Sequence, residues 1–187
     1  PTGIHLAREL VQRGRRVRVV SRDRERLTTS FTGLEVEIAP ADALAAGPLA
    51  AAIAGCELVV DCIGLPPEQM SLHPAAARTI VAAAGRVGAR CLQVSSYWAF
   101  LPSDKGVLSE SSPREGDHPW YRPRREAEDV FLAAGAAVVH LPDFFGPDVH
   151  TSSVQMALED AVAGRPVRCI GGAATEREAG YVLDLMR

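Results

Sequence analysis

The 187-residue sequence predicts an α/β fold built on a doubly wound parallel sheet. Three observations predict it. Short runs rich in Val, Ile and Leu alternate with Ala-rich segments of helical period. The helices stop at glycines, and prolines stand in or near their first turns. The chain also opens Pro1-Thr2-Gly3 directly into a helical pattern, the form a Gly-rich loop takes where it enters a helix.

The first helix rests on Ile4, Leu6, Ala7, Leu10 and Val11, and the turn Arg13-Gly14-Arg15 ends it. Residues 16–21 form a strand by their Val content, and residues 35–39 alternate as a second strand. Residues 43–54 are Ala-rich and helical up to Gly55. Residues 57–63, ELVVDCI, read as a buried strand closed by Gly64. A long Ala-rich helix follows at 74–87, with Pro74 in its first turn and Gly88 behind it. Residues 90–95 are the next strand, and a polar loop runs from 102 to 119. A helix at 123–134 is stopped by Gly135, and residues 137–141, AVVHL, form a last strand before Phe144-Phe145-Gly146-Pro147. Strand–helix alternation of this kind means parallel strands joined by crossover helices on both faces. In such a Rossmann-type sheet the first strand is central. The sequence contains no candidate for it, so the first central strand is expected to be missing from this chain. The chain made alone is then expected to leave strand edges unpaired and to be unstable.

Composition bounds the function. Apolar residues make up 47% and charged residues 23%, the balance of a globular domain. A net charge of −3 gives no pointer to nucleic acid. No apolar stretch reaches the roughly 18 residues that span a membrane. Cys56, Cys62, Cys91 and Cys169 lie in or beside apolar runs and form no CxxC, so they read as buried small hydrophobes in a reducing cytoplasm. His5, His73, His118, His140 and His150 are scattered, and no metal site is expected.

The N-terminal half carries the marks of a dinucleotide site. Thr2 and Gly3 stand at the start of the first helix, where orphan N–H groups and the helix dipole favour a pyrophosphate. Eighteen residues after Gly3 comes Ser21-Arg22-Asp23, at the end of a strand. An acidic residue there bonds the ribose 2′-hydroxyl of NAD, whereas a small residue followed by Arg leaves room for the 2′-phosphate of NADP. Ser21 and Arg22 therefore favour NADP over NAD. The competing reading makes Arg22 a surface charge and gives the sugar contact to Asp23. Asp42 is placed to meet the adenine, and equally to cap the Ala-rich helix. Cys62, Ile63 and Gly64, at the carboxyl end of their strand, are expected to line the cleft.

The C-terminal half carries the chemistry. The strand ending in Ser95-Ser96 reads VSSYWAF. Tyr121 follows 25 residues after Ser96 in YRPRREAE, and HLPDFFGP follows the next helix. Further on stand ALEDAVAG at 157–164 and Gly180-Tyr181-Val182-Leu183-Asp184. In order and spacing these segments resemble the extended short-chain dehydrogenase/reductase superfamily, the NAD-dependent epimerase/dehydratase group. The resemblance covers essentially the whole chain. It implies an NAD(P)-dependent oxidoreductase or nucleotide-sugar epimerase/dehydratase acting on a small-molecule substrate, with a homodimer possible. Residues 1–145 would be the cofactor domain and 146–187 the start of a substrate-binding subdomain. Tyr121 would be the acid/base, Ser96 would hold the same substrate oxygen, and Tyr97, Asp143 and Phe144 would face the substrate.

A free phenol has a pKa near ~10 and needs a neighbouring cation to act as a base at neutral pH. The family uses Lys for this and for the nicotinamide ribose, but here Arg125 stands at that position, and the swap is not conservative. Phe145 stands for the usual Tyr and His140 for the usual Arg. The departure at 125 motivates an alternative: an NADP-binding sensor or assembly protein without turnover. Each residue also has an ordinary reading taken singly. Trp120-Tyr121 could be an aromatic pair at a loop end, Ser95-Ser96 a polar strand end, and Arg122, Arg124 and Arg125 a solvated helix start.

Overall fold

The computed structural model describes residues 2–101, 107–114, 119–150, 152–167 and 178–187. Lys105, His118 and Cys169 lie outside the described residues, as does most of the polar loop before Pro119. The elements in order are α1 (Thr2–Gln12), β1 (Arg18–Ser21), α2 (Arg24–Ser30), β2 (Glu37–Pro40), α3 (Ala46–Ala52) and β3 (Leu58–Asp61). A 3₁₀ helix (Pro67–Leu72) leads into α4 (His73–Val87) and β4 (Arg90–Ser96). A second 3₁₀ helix (Tyr97–Phe100) follows, then α5 (Arg122–Ala133), β5 (Ala137–Leu141) and β6 (Asp143–Phe145). The last elements are α6 (Ser153–Val162), β7 (Ala179–Tyr181) and α7 (Val182–Leu185).

Every strand pairing among the described residues is parallel. β1 pairs with β2, with Ser21 opposite Pro40. β4 lies between β3 and β5, with Asp61 opposite Gln93 and Ser96 opposite Leu141. β6 and β7 form a separate pair, with Phe145 opposite Tyr181. No pairing joins β1 to β3 among the described residues, so the sheet is in two pieces where the sequence reading expects a central strand.

Burial follows the strand period. Val19 packs with Ala7, Leu27 and Phe31, from α1 and the α2 segment. Its neighbour Val20 packs on the opposite cluster of Leu49, Ile53, Ala77, Ile80, Ala84, Ala127 and Phe131, from α3, α4 and α5. Successive strand side chains point to opposite faces, so both faces are covered by helices. The contact between α4 and α5 is made largely of small residues, and Phe131 of α5 is fully buried in the same cluster. Arg18 ties the outer strand to this layer, donating to Ala52 O (2.9 Å) and Ala54 O (2.7 Å) at the C-terminus of α3, where a cation meets the negative end of the helix.

The parallel doubly wound fold is as the sequence predicts. The elements it leaves out are short. α2 has one buried apolar residue, Leu27, and so no period to read; its signal is the cap, Asp23, whose side chain accepts from Arg26 N. α3 begins at Ala46, three residues later than expected, and β6 and β7 are three residues each.

Candidate functional site

The carboxyl ends of β1, β3 and β4 and the N-terminus of α1 supply the site. Thr2 and Gly3 open α1. A Cβ on Gly3 would lie 3.4 Å from Cys62 Cβ, so the helix start sits in van der Waals contact with the residue that follows β3. The chain turns there because Asp61 Oδ1 accepts from Ile63 N (2.9 Å), while Oδ2 accepts from Gln93 Nε2 of β4 (3.4 Å). Burial pushes the Asp61 carboxyl up, against the Ile63 and Gln93 bonds and the charge of Arg124. Burial and the neighbouring Asp61 push the Cys62 thiol up to about 12, so it is an inert lining group. Gly64 faces open space.

At the end of β1, Ser21 accepts from Ala41 N through its carbonyl (3.0 Å), and Arg22 is exposed. Asp23 Oδ1 accepts from Arg26 N (2.9 Å) as the α2 cap, and Arg22, Asp23, Arg24 and Arg26 are all exposed here. Asp42 does not cap α3. Its Oδ1 accepts from Leu44 N (2.9 Å) in a local turn, and Ala45 holds the cap position without a side-chain bond. Asp42 is short enough to close on itself, which ends its competition for the helix.

At the chemistry end, Ser95 and Ser96 point to opposite sides of β4. Ser96 Oγ accepts from Trp98 N (3.4 Å) and opens the 3₁₀ turn that carries Tyr97. That turn brings Trp98 edge-on to Tyr121, ring centroids 5.6 Å apart, so strand end and helix start meet through aromatic packing. Tyr121 precedes α5, and its carbonyl accepts from Arg125 N (3.0 Å). Burial pushes the Tyr121 phenol up from its ordinary value. The cation-assisted lowering anticipated from Arg125 is not its net state here. Arg125 Nη1 donates instead to the carbonyl of Arg114, and Nε is buried with no hydrogen-bond partner among the described residues. Arg124 is the neighbour whose charge acts on the interior: it opposes the burial shift of Asp61 and adds to burial in holding His73 down at about 4.

The largest feature that sequence reasoning missed is Glu128, which is 0% exposed. Ser95 Oγ donates to its Oε1, and Arg114 Nη1 donates to its Oε2 (2.6 Å). His140 Nε2 of β5 stands 3.2 Å from Oε2. Burial works to raise this carboxyl, and the His140, Ser95 and Arg114 contacts together hold it below the usual value. Arg114 also reaches Asp129 Oδ1 (2.6 Å). A signal existed: Glu128 lies between Ala127 and Phe131, a single acidic residue on the apolar face of its helix.

On the side assigned to substrate, Asp143 Oδ2 accepts from Ser153 Oγ (2.6 Å), and Gly146 N donates to Gln155 Oε1 (3.0 Å). These bonds dock α6 on β6. Phe144 is half-buried in the middle of β6. Among the described residues no cluster of three or more His, Cys, Asp or Glu could hold a metal ion, and no helix is long and apolar enough to cross a membrane.

No curated protein matches the sequence. Solved structures match in fold. The dTDP-glucose 4,6-dehydratase DesIV from Streptomyces venezuelae, solved as a double mutant with NAD and DAU bound, is 20% identical with a TM-score of 0.82, over 99% of this chain and 66% of that one. A dTDP-glucose 4,6-dehydratase from Bacillus anthracis in complex with NAD is 12% identical with a TM-score of 0.84, over 100% and 66%. The Bordetella bronchiseptica enzyme WbmG with NAD and UDP is 16% identical with a TM-score of 0.80, over 100% and 63%. The chain thus spans about two thirds of the length of these structures. A family model described as NAD(P)H-binding matches residues 1–141, three quarters of the sequence and the whole of the strand–helix series through β5. The chain belongs to this NAD(P)H-binding family.

Proposed function

We propose that the chain is the cofactor-binding part of an NADP-dependent oxidoreductase or nucleotide-sugar epimerase/dehydratase. Residues 1–145 are the cofactor domain, and 146–187 begin the substrate-binding subdomain. The observation that carries this is the contact of the α1 start with the end of β3, at Gly3 and Cys62, on the strand paired with the one that ends in the Ser96–Trp98–Tyr121 junction. In open parallel sheets ligands bind outside the carboxyl ends of the strands. The residues present fit a dinucleotide. The unpaired N–H groups at the helix start suit a pyrophosphate, Gly64 leaves room for close approach, and exposed Arg22 after Ser21 suits a 2′-phosphate. Thr2, Gly3, Ser21, Arg22, Asp42, Cys62, Ile63 and Gly64 are the cofactor-binding set.

The bound cofactor supplies or accepts a hydride. Tyr121 exchanges a proton with the substrate oxygen, and Ser96 hydrogen-bonds that oxygen and orients it. With its pKa raised by burial, the resting Tyr121 phenol is a proton donor. Tyr97, Asp143 and Phe144 face the substrate. The DesIV and WbmG structures contain DAU and UDP beside NAD, which makes UDP- and dTDP-sugars the first substrates to try. Mass spectrometry of such a panel, incubated with the full-length protein and NADP, reads the chemistry. Tyr121→Phe should lower turnover at least a hundredfold and leave cofactor affinity within about twofold. Unchanged turnover would remove Tyr121 from the mechanism.

One observation favours a second reading, a cofactor-binding sensor or assembly protein without turnover: Arg125 is engaged by the Arg114 carbonyl. Arg125→Lys separates the two readings. Activity that appears only with Lys identifies a site that binds without reacting.

A further inference from the structure

The turn after β6 is gripped from both sides by groups that the proposed chemistry does not use. On one side is α1. His5, two residues after Gly3, is 2% exposed, and its Nε2 lies 2.8 Å from Pro147 O. A carbonyl only accepts, so Nε2 carries the proton. Nδ1 is buried, with no hydrogen-bond partner among the described residues. Arg8, nearly one helical turn on, donates to Asp148 Oδ2 (3.3 Å), and the same oxygen is 3.7 Å from His5 Nε2. On the other side are β7 and α7. A Cβ on Gly146 (φ 129°) would lie 2.8 Å from Tyr181 Cε2 and 2.9 Å from Val182 Cγ1, closer than real contacts allow. Val149 and Val182 are fully buried. Asp148 has φ 59°, the one non-glycine residue with positive φ among those described. Such a backbone persists only where its surroundings over-determine it.

We propose that His5 and Arg8 of α1, clasping Pro147 and Asp148, couple cofactor occupancy to the placement of Asp143 and Phe144 on the substrate side. The inference rests on the functional reading above. An 11-residue helix is a stiff rod, so a ligand that fixes Thr2 and Gly3 also fixes His5 and Arg8. The turn, packed against Tyr181 and Val182, has no slack to absorb a movement of α1 and passes it to β6, three residues away. Two ends of one rigid unit stabilise each other reciprocally, so cofactor binding orders the substrate side, and a substrate-side ligand tightens the cofactor by the same factor. His5, Arg8 and Asp148 are positioning residues in this scheme and touch neither ligand.

Amide hydrogen exchange across residues 143–150 of the full-length protein, with and without saturating NADPH, tests the coupling, with NADPH affinity measured alongside. NADPH should slow exchange there at least fivefold in the wild type. Asp148→Gly keeps the positive φ and removes the carboxylate. It should bind NADPH within about threefold of wild type while losing that protection, and Arg8→Met should behave in the same way. NADPH bound with exchange at 143–150 unchanged, or protection undiminished in both variants, overturns the clasp. A wild-type protein that binds neither NADPH nor NADH overturns the functional reading itself, and the clasp with it.

Discussion

Replacing Glu128 by Gln removes a carboxylate that lies wholly out of water and is shared by three partners. Removing one member of a buried charge group typically costs ~3–5 kcal/mol, because the remaining charge is left uncompensated. Two features place this case at the low end. Arg114 is a quarter exposed and keeps its bond to Asp129, so its charge is not stranded. Gln keeps one acceptor, which can serve Arg114 at the Oε2 position, while the Ser95 hydroxyl can turn to accept from the amide nitrogen at the other. The expected loss is about 3 kcal/mol, which for a domain of this size lowers Tm by about 6–12 °C. The pH dependence makes the test specific. The folded Glu128 carboxyl sits below its unfolded value, so its contribution is complete above the unfolded pKa, near ~4.3. The contribution is lost as pH falls through the folded pKa, where both states take up the proton. Urea unfolding of wild type and Glu128→Gln at a series of pH values from 7.5 down to 3.5 measures the difference with all other carboxylates shared. The gap should be widest at neutral pH and close towards the acid end. A gap of constant size across that range would mean that the charge contributes nothing and that the loss is one of packing alone.

Other outcomes follow from the same geometry. Arg22→Ala should weaken NADPH binding roughly ten- to hundredfold, the value of one charge-assisted hydrogen bond, and leave NADH nearly unchanged in calorimetric titration. Arg124→Met should destabilise more than Arg125→Met, because Arg124 offsets the buried charges of Asp61 and Glu128; equal unfolding midpoints would contradict this. Gly146→Ala should cost on the order of 2 kcal/mol or more in urea unfolding, since the added methyl meets Tyr181 and Val182 at a φ that alanine avoids. Cys62 should resist iodoacetamide at pH 7.5 in the folded protein and react in denaturant, because its folded-state thiol is pushed up to about 12.

The sequence is legible where a period repeats for long enough. The helix at 74–87 shows several turns of Ala and Ile at helical spacing between Pro74 and Gly88, and α4 differs from that reading by one residue. α2 buries only Leu27, so it has no stripe to read, and β6 and β7 are too short to alternate. The site divides along the same line. Gly3, Arg22, Ser96 and Tyr121 stand out by spacing along the chain. Glu128 depends on partners 14 and 33 residues away, Arg114 and Ser95, and no local pattern states that such residues meet. Arg125 shows the converse. Spacing from Tyr121 gives it the place of a cation, but a guanidinium is long and planar and has found a backbone carbonyl on a loop whose path the sequence does not encode locally.

The cleft at the carboxyl ends of β1, β3 and β4 is the proposed seat of NADP. Calorimetric titration of the full-length protein with NADPH and with NADH, repeated on Arg22→Ala, tests it most directly. The wild type should bind NADPH more tightly than NADH, and the variant should lose that preference. Binding of neither nucleotide, or a preference for NADH that Arg22→Ala leaves untouched, would contradict it.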